Sequence, residues 1–209
     1  MRSFHVNRLA LSEHKIAVIL LAAGSSTRMI GARSKLLLHM PDGKSILSHA
    51  VANALALDPL CVIVVVRPDL PALLEPLDGL PVRIMPNPRY TEGMGTSLAA
   101  GVAALPDDAE AVLVLLGDEP NVSPDIVRRL VESYLSNKAA ITVPMYGEQV
   151  GPPTIFSREL FADLAALQGD VGGRQLFELY PGRVCRVPFA HDERPKDIDT
   201  PEDLVGLQT

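Results

Sequence analysis

Apolar residues fall along this chain in short β-rich runs, at 16–21, 61–66, 82–85, 111–116 and 140–143, rich in Val, Ile, Leu and Ala and interrupted only by Arg83 and Thr142. Runs this short, bounded by polar or proline-containing segments, predict strands buried on both faces. Between them apolar positions recur about three and four apart, the spacing of a helix with one buried face. Ser45 stands before Ile46, Leu47, Ala50 and Val51 as an N-cap, and Ser123-Pro124-Asp125 opens a further helix with a cap, a first-turn proline and an acid. This alternation predicts an α/β fold, a three-layer Rossmann-like arrangement in which a mostly parallel sheet carries helices on both faces.

The last third reads differently. Segments 151–156 and 184–188 predict shorter strands expected to run antiparallel, flanking helices around 159–167 and 174–180. Such an antiparallel addition at one edge is compatible with a parallel sheet and predicts a lid or acceptor side. No repeat, linker or compositional break divides the chain, so residues 1–209 are expected to form one domain, with 1–12 as an ordered extension or a frayed tail.

The composition removes several function classes. A net charge of −6 is the wrong sign for a general nucleic-acid binder, so the basic residues are read as local anion contacts. No apolar run reaches the roughly 18 residues a membrane helix needs, and the amino terminus has no signal-peptide core, which predicts a cytoplasmic protein without a membrane partner. Cys61 and Cys185 lack metal-ligand spacing and read as buried thiols. The five histidines form no H-E-x-x-H pattern and no G-x-S-x-G elbow is present, which argues against zinc hydrolysis and serine-hydrolase chemistry.

Candidate chemistry gathers where the strands end. Leu21, Ala22, Ala23, Gly24, Ser25 and Ser26 follow the first strand as a small-residue loop, with Arg28 and Lys35 close behind. Small residues let backbone N–H groups turn toward an anion and the two cations supply charge, so this loop reads as a phosphate cradle for a nucleotide. It matches neither the Walker loop nor the dinucleotide fingerprint. Gly117-Asp118-Glu119-Pro120 follows a wholly apolar strand, which places Asp118 at the same edge of the sheet as a candidate Mg²⁺ ligand; Glu119 is secondary. Asp197 and Asp199 share a face if their segment is extended and are the candidates for a second metal-facing acid, whereas Thr200-Pro201-Glu202-Asp203 reads as a helix start. Gly95, Thr96 and Ser97 lie in a glycine-punctuated loop that leads into a helix, and Asp170, Gly172 and Arg174 repeat the theme of glycines with one acid and one arginine.

Taken in order, L-A-A-G-S-S-T-R-M with Lys35, G-M-G-T-S-L, L-L-G-D-E-P, G-D-V-G-G-R and D-I-D-T-P-E-D-L resemble the molybdenum cofactor cytidylyltransferase branch of the nucleotidyltransferase superfamily. The resemblance implies a GT-A-like sheet and transfer of CMP from CTP to the phosphate of molybdopterin, with Mg²⁺ and release of pyrophosphate. It further implies a molybdoenzyme as a recipient of the product. Leu-Ala-Ala-Gly, in place of the Leu-Ala-Gly-Gly of the guanylyl branch, tilts the base toward cytosine. On this reading Asp118, with Asp197 or Asp199, holds the metal, Arg28 and Lys35 neutralise the departing phosphates, residues 21–26 with Gly95, Thr96 and Ser97 hold the nucleotide, and Asp170, Gly172 and Arg174 orient the acceptor.

Two departures from the family pattern stand out. Residues 30–34 lengthen the spacing from Arg28 to Lys35 toward that of sugar-phosphate nucleotidyltransferases, and Gly151-Pro152-Pro153 replaces the usual Gly-His-Pro. Two alternatives therefore stand beside the first reading: a nucleotidyltransferase acting on a sugar phosphate or another small molecule, and a non-catalytic carrier of the molybdenum cofactor.

Overall fold

A computed structural model describes residues 10–24 and 34–195. Ser25, Ser26, Arg28, Asp197, Asp199 and the helix start expected at Thr200 lie outside the described residues. The strands are β1 (Ile16–Ala22), β2 (Val62–Val66), β3 (Arg83–Pro86), β4 (Ala111–Leu116), β5 (Ile141–Tyr146), β6 (Gln149–Val150), β7 (Thr154–Ser157) and β8 (Val184–Phe189). The α-helices are α1 (Ile46–Ala56), α2 (Met94–Ala103), α3 (Pro124–Asn137), α4 (Phe161–Ala165) and α5 (Gln175–Leu179).

All the described strands join one sheet in the order β3-β2-β1-β4-β7-β5-β6, with β8 on the other side of β5. β1 pairs in parallel with β2 on one side and with β4 on the other. The period of two in these strands sorts their side chains into two cores. Val18, Leu20, Val64 and Leu113 face α1 and α3, whereas Ile19, Ile63, Val65, Val112 and Val114 face α2, α4 and α5. The three layers expected from the hydrophobic pattern are thus present.

The chain runs outward from β1 through α1 to β2 and β3, then returns along the opposite face through α2 to β4. Strand order therefore reverses at the boundary between β1 and β4. A reversal of this kind opens a crevice at the carboxyl ends of the two strands, because the connections leave them toward opposite sides. The segments that follow β1 and β4, both chemically suggestive, begin at that crevice.

The last third is antiparallel only in part. β5 and β6 form a hairpin across a tight turn at Gly147, where φ is +62°, and β7 continues the return strand antiparallel to both β5 and β4. Met145 faces Val150 while Thr142 faces Ile155, so residues 151–153 add two residues to the return strand and bulge out of the sheet. The segment expected at 184–188 as an antiparallel strand is instead β8, parallel to β5. The reason is the path between β7 and β8: α4 climbs from the amino edge of the sheet and α5 descends beside it. Tyr180 Oη donates to Asp163 at 3.0 Å and Arg183 pairs with Glu159 at 2.6 Å, closing that excursion where it began. The helix expected over 159–167 is divided between a 3-10 turn at Arg158–Leu160 and α4.

Residues 10–12, the end of the expected extension, are packed. Leu11 is buried, its amide donates to Leu57 O at 3.2 Å, and the Ser12 amide donates to Asp58 O at 2.7 Å. Among the described residues no helix is long and apolar enough to cross a membrane.

Leu113 lies at the centre of β4, wholly buried between β1 and β7. Leu113→Ala is expected to lower stability by about 3 kcal/mol in urea denaturation, the cost of lost burial plus a cavity that rigid neighbours cannot fill.

Candidate functional site

β1 ends at Ala22, and the loop after it passes through Ala23, also buried, to exposed Gly24, around which a side chain would meet nothing within 4 Å among the described residues. Open space at this residue leaves the backbone accessible at the mouth of the crevice. When the chain is next described, Ser34 Oγ accepts the Leu36 amide at 3.3 Å and caps a 3-10 turn, Lys35–Leu37, whose Leu36 is buried. Cap and buried leucine together fix the backbone from which Lys35 projects.

Across the crevice the Gly117 amide donates to Leu21 O at 2.9 Å, extending the β1–β4 ladder by one rung past β4. The turn that follows is held by Glu119 N on Leu116 O at 3.3 Å, and from outside by Asn53 of α1, whose amide donates to Pro120 O. These contacts aim Asp118 at Lys35, and Lys35 Nζ stands 2.7 Å from Asp118 Oδ2. The two side chains are 16% and 27% exposed, so the pair sits in the crevice wall rather than on the open surface. The sequence-predicted phosphate cation and metal ligand are therefore in direct contact.

Asp118 already holds one cation, and its hard oxygen donors suit Mg²⁺ or Mn²⁺. No group of three or more His, Cys, Asp or Glu that could hold a metal occurs among the described residues. A single carboxylate at the crevice fits an ion that keeps several waters and takes its remaining ligands from phosphate.

Gly95, Thr96 and Ser97 form the first turn of α2, but the two hydroxyls point into the fold. Asn87, at the end of β3 and 2% exposed, donates through Nδ2 to Thr96 Oγ1 at 3.0 Å and to Ser97 Oγ at 2.9 Å, while its Oδ1 accepts the Arg89 amide at 2.9 Å. Thr96 Oγ1 also lies 2.8 Å from Arg89 O and 2.9 Å from Gly93 O, as donor. The amide and the hydroxyls thus position the start of α2. Before it, Arg67 at the end of β2 forks onto Asp69 at 2.7 and 2.6 Å and covers the Tyr90 ring at 4.5 Å. Tyr90 Oη donates to Asp69 at 2.8 Å, and the two donors hold the Asp69 carboxyl well below the usual range. Neither Asn87 nor this cluster is marked by a motif; both become visible only when β2 and β3 lie side by side.

Asp170, Gly172 and Arg174 lie on the far side of α2. The Gly95 amide donates to Gly169 O at 2.8 Å, and a Cβ on Gly93, where φ is +116°, would stand 2.3 Å from the Gly169 carbonyl carbon. The two glycine-rich segments are locked backbone to backbone, a contact that only glycine permits at Gly93. Asp170 and Arg174 border a cavity of about 360 Å³ that opens beside the crevice. Its walls are largely apolar: Leu21 and Leu116 at the strand ends, Met94 on α2, Phe156 on β7 and Phe177 on α5. Gly151, Pro152 and Thr154 close it from the bulge. Tyr146 Oη donates to Pro152 O at 3.0 Å and holds the bulge in place. Burial pushes the Tyr146 phenol well above its usual range, with the negative charge of Glu119 adding to the effect. Asp170 and Arg174 are both exposed where they line this cavity.

The family model for the MobA-like NTP transferase domain matches residues 18–186. The chain is similar to the bifunctional protein GlmU of Corynebacterium aurimucosum, with 34% identity over 154 residues, covering 70% of this chain and 31% of that protein. It spans less than a third of the length of such curated relatives. Among solved structures it resembles the Mycobacterium sp. strain JC1 homologue of Mycobacterium tuberculosis Rv0371c, with 28% identity, a TM-score of 0.77, and 92% and 94% of the two chains covered. The manganese complex of Rv0371c from Mycobacterium tuberculosis is also similar, at 28% identity and a TM-score of 0.68 over 92% of this chain and 97% of that one.

Asn87→Ala would leave two buried hydroxyls without their shared donor. It is expected to lower stability by about 1–3 kcal/mol, measurable by thermal or urea unfolding.

Proposed function

The chain belongs to the MobA-like NTP transferase domain family and is by that membership a nucleotidyltransferase; on that premise we propose that it transfers CMP from CTP to the phosphate of a molybdopterin acceptor, releasing pyrophosphate. The observation that carries this reading is the Lys35–Asp118 pair just past the end of β4, whose last residue Leu116, with Leu21 of β1, also lines an apolar cavity bordered by Asp170 and Arg174. A phosphate-bearing acceptor with a flat ring suits walls made of Phe156, Phe177 and Met94, with Arg174 at the mouth to meet its charge.

The proposed reaction needs no covalent nucleophile on the protein. The acceptor phosphate attacks the α-phosphorus in line as the bond to pyrophosphate breaks, and the chain contributes positioning and charge neutralisation. Lys35, with Arg28, meets the negative charge that accumulates on the departing pyrophosphate. Residues 21–26 are the proposed phosphate-binding loop, holding the nucleotide through backbone N–H groups. The start of α2, set by Asn87, holds the nucleoside at Gly95, and Asp170, Gly172 and Arg174 orient the acceptor. Asp118, with Asp197 or Asp199, would hold a divalent ion, which when bound supplies electrophilic stabilisation of the phosphates. That Rv0371c, a similar protein, has been solved as a complex with manganese supports the choice of a divalent ion.

A sugar-phosphate acceptor is the second reading, favoured by the lengthened interval between Arg28 and Lys35. The two separate in one assay: pyrophosphate release from CTP, GTP, ATP and UTP with Mg²⁺, each with molybdopterin, with a sugar phosphate, or with no acceptor. Release with CTP and molybdopterin alone is the expected result; release with a sugar phosphate overturns the acceptor, and nucleotide binding without release in any arm points to a carrier.

In the productive arm Asp118→Asn is expected to lower kcat by about 10²–10³ while the protein stays folded by circular dichroism. Arg174→Ala is expected to raise the acceptor KM about tenfold and leave the CTP KM within about twofold, the signature of an acceptor-side contact.

A further inference from the structure

Asp118 and Lys35 are held toward each other from independent anchors. Asp118 is fixed by the ladder rung of Gly117 on Leu21 and by Asn53 on Pro120; Lys35 is fixed by the Ser34 cap and by buried Leu36. The lysine ammonium occupies Oδ2 of the carboxylate at 2.7 Å, a position a divalent ion bound to that oxygen would also claim. A second cation entering beside an ammonium in a partly desolvated wall meets like-charge repulsion, and a polyphosphate entering beside the carboxylate meets the same obstacle with the sign reversed.

We propose that the Lys35–Asp118 ion pair is a reciprocal latch: each partner masks the other's ligand, so that neither a divalent ion nor a polyphosphate binds well alone, and the two together release both partners at once. The latch rests on the proposed roles of Asp118 as a metal ligand and Lys35 as a phosphate cation. It adds that the two roles are coupled through one hydrogen-bonded contact. When both ligands arrive, Lys35 leaves the carboxylate for phosphate oxygens while Asp118 becomes available to the ion, so charge is neutralised at each exchange. The consequence is cooperative loading, in which the protein selects the metal–nucleotide complex over either component.

The test is binding without catalysis, on the full chain. Mn²⁺ affinity is read from the electron paramagnetic resonance of the free ion, and metal-free inorganic tripolyphosphate affinity from calorimetry. Lys35→Met is expected to tighten Mn²⁺ binding about tenfold or more, and the double variant with Asp118→Asn to lose that gain. Asp118→Asn alone is expected to tighten tripolyphosphate binding by a similar factor, and Lys35→Met to weaken it. A purely structural pair would instead weaken both ligands in both variants, and that result, or unchanged affinities in folded variants, overturns the latch. Pyrophosphate release by the parent protein is scored separately: its absence with the reciprocal pattern intact would refute the proposed reaction and leave the latch standing.

Discussion

β1 is the strand at which the chain reverses its order across the sheet, and its parallel register with β4 runs without interruption from Ile16 opposite Ala111 to Leu21 opposite Leu116. One further rung, Gly117 N on Leu21 O, carries that register beyond β4. Everything at the crevice inherits its coordinates from this ladder. Had the register slipped by one residue, Leu113 and Val112 would exchange faces and both helical layers would lose their complement, so the cost of misplacing Asp118 is the cost of misfolding the core. The site is therefore as precise as the strongest hydrophobic pairing in the molecule.

Much of this was legible in the residues because the signals were local. Short apolar runs marked the parallel strands, Ser45 and Ser123 marked two helix starts, and both side chains do cap their helices. Glycine and acid after a buried strand located the edge at which Lys35 and Asp118 meet. What could not be read was non-local. The direction of β8 depends on the rise and fall of α4 and α5, which no pattern within 184–188 encodes. The hydroxyls of Thr96 and Ser97 read equally well as ligand contacts or internal anchors until Asn87, nine residues before Thr96, arrives from the neighbouring strand. Arg67 with Asp69 and Tyr90 is invisible for the same reason.

The start of α2 and the 168–174 segment, proposed for the nucleotide and for the acceptor, are not independent walls. Gly93 and Gly95 on one side touch Gln168 and Gly169 on the other through backbone atoms alone, with Met94 packed against Gly172. Backbone contacts of this kind leave no side chain to absorb a displacement, so a movement of the 168–174 segment is transmitted to the start of α2. Substrate positioning in the two halves is thereby tied to a single rigid joint.

The bulge at residues 151–153 sits between two stretches of return strand that are each in register with β5. Residues gained or lost there alter the cavity wall and the local hydrogen bond from Tyr146 while leaving the strand order intact, since pairing resumes on both sides and β4 still receives β7. Such a place in a fold is a point of evolutionary freedom: one short interval can be edited to reshape the cavity proposed for the acceptor, while the β1–β4 ladder that places Asp118 is inherited unchanged.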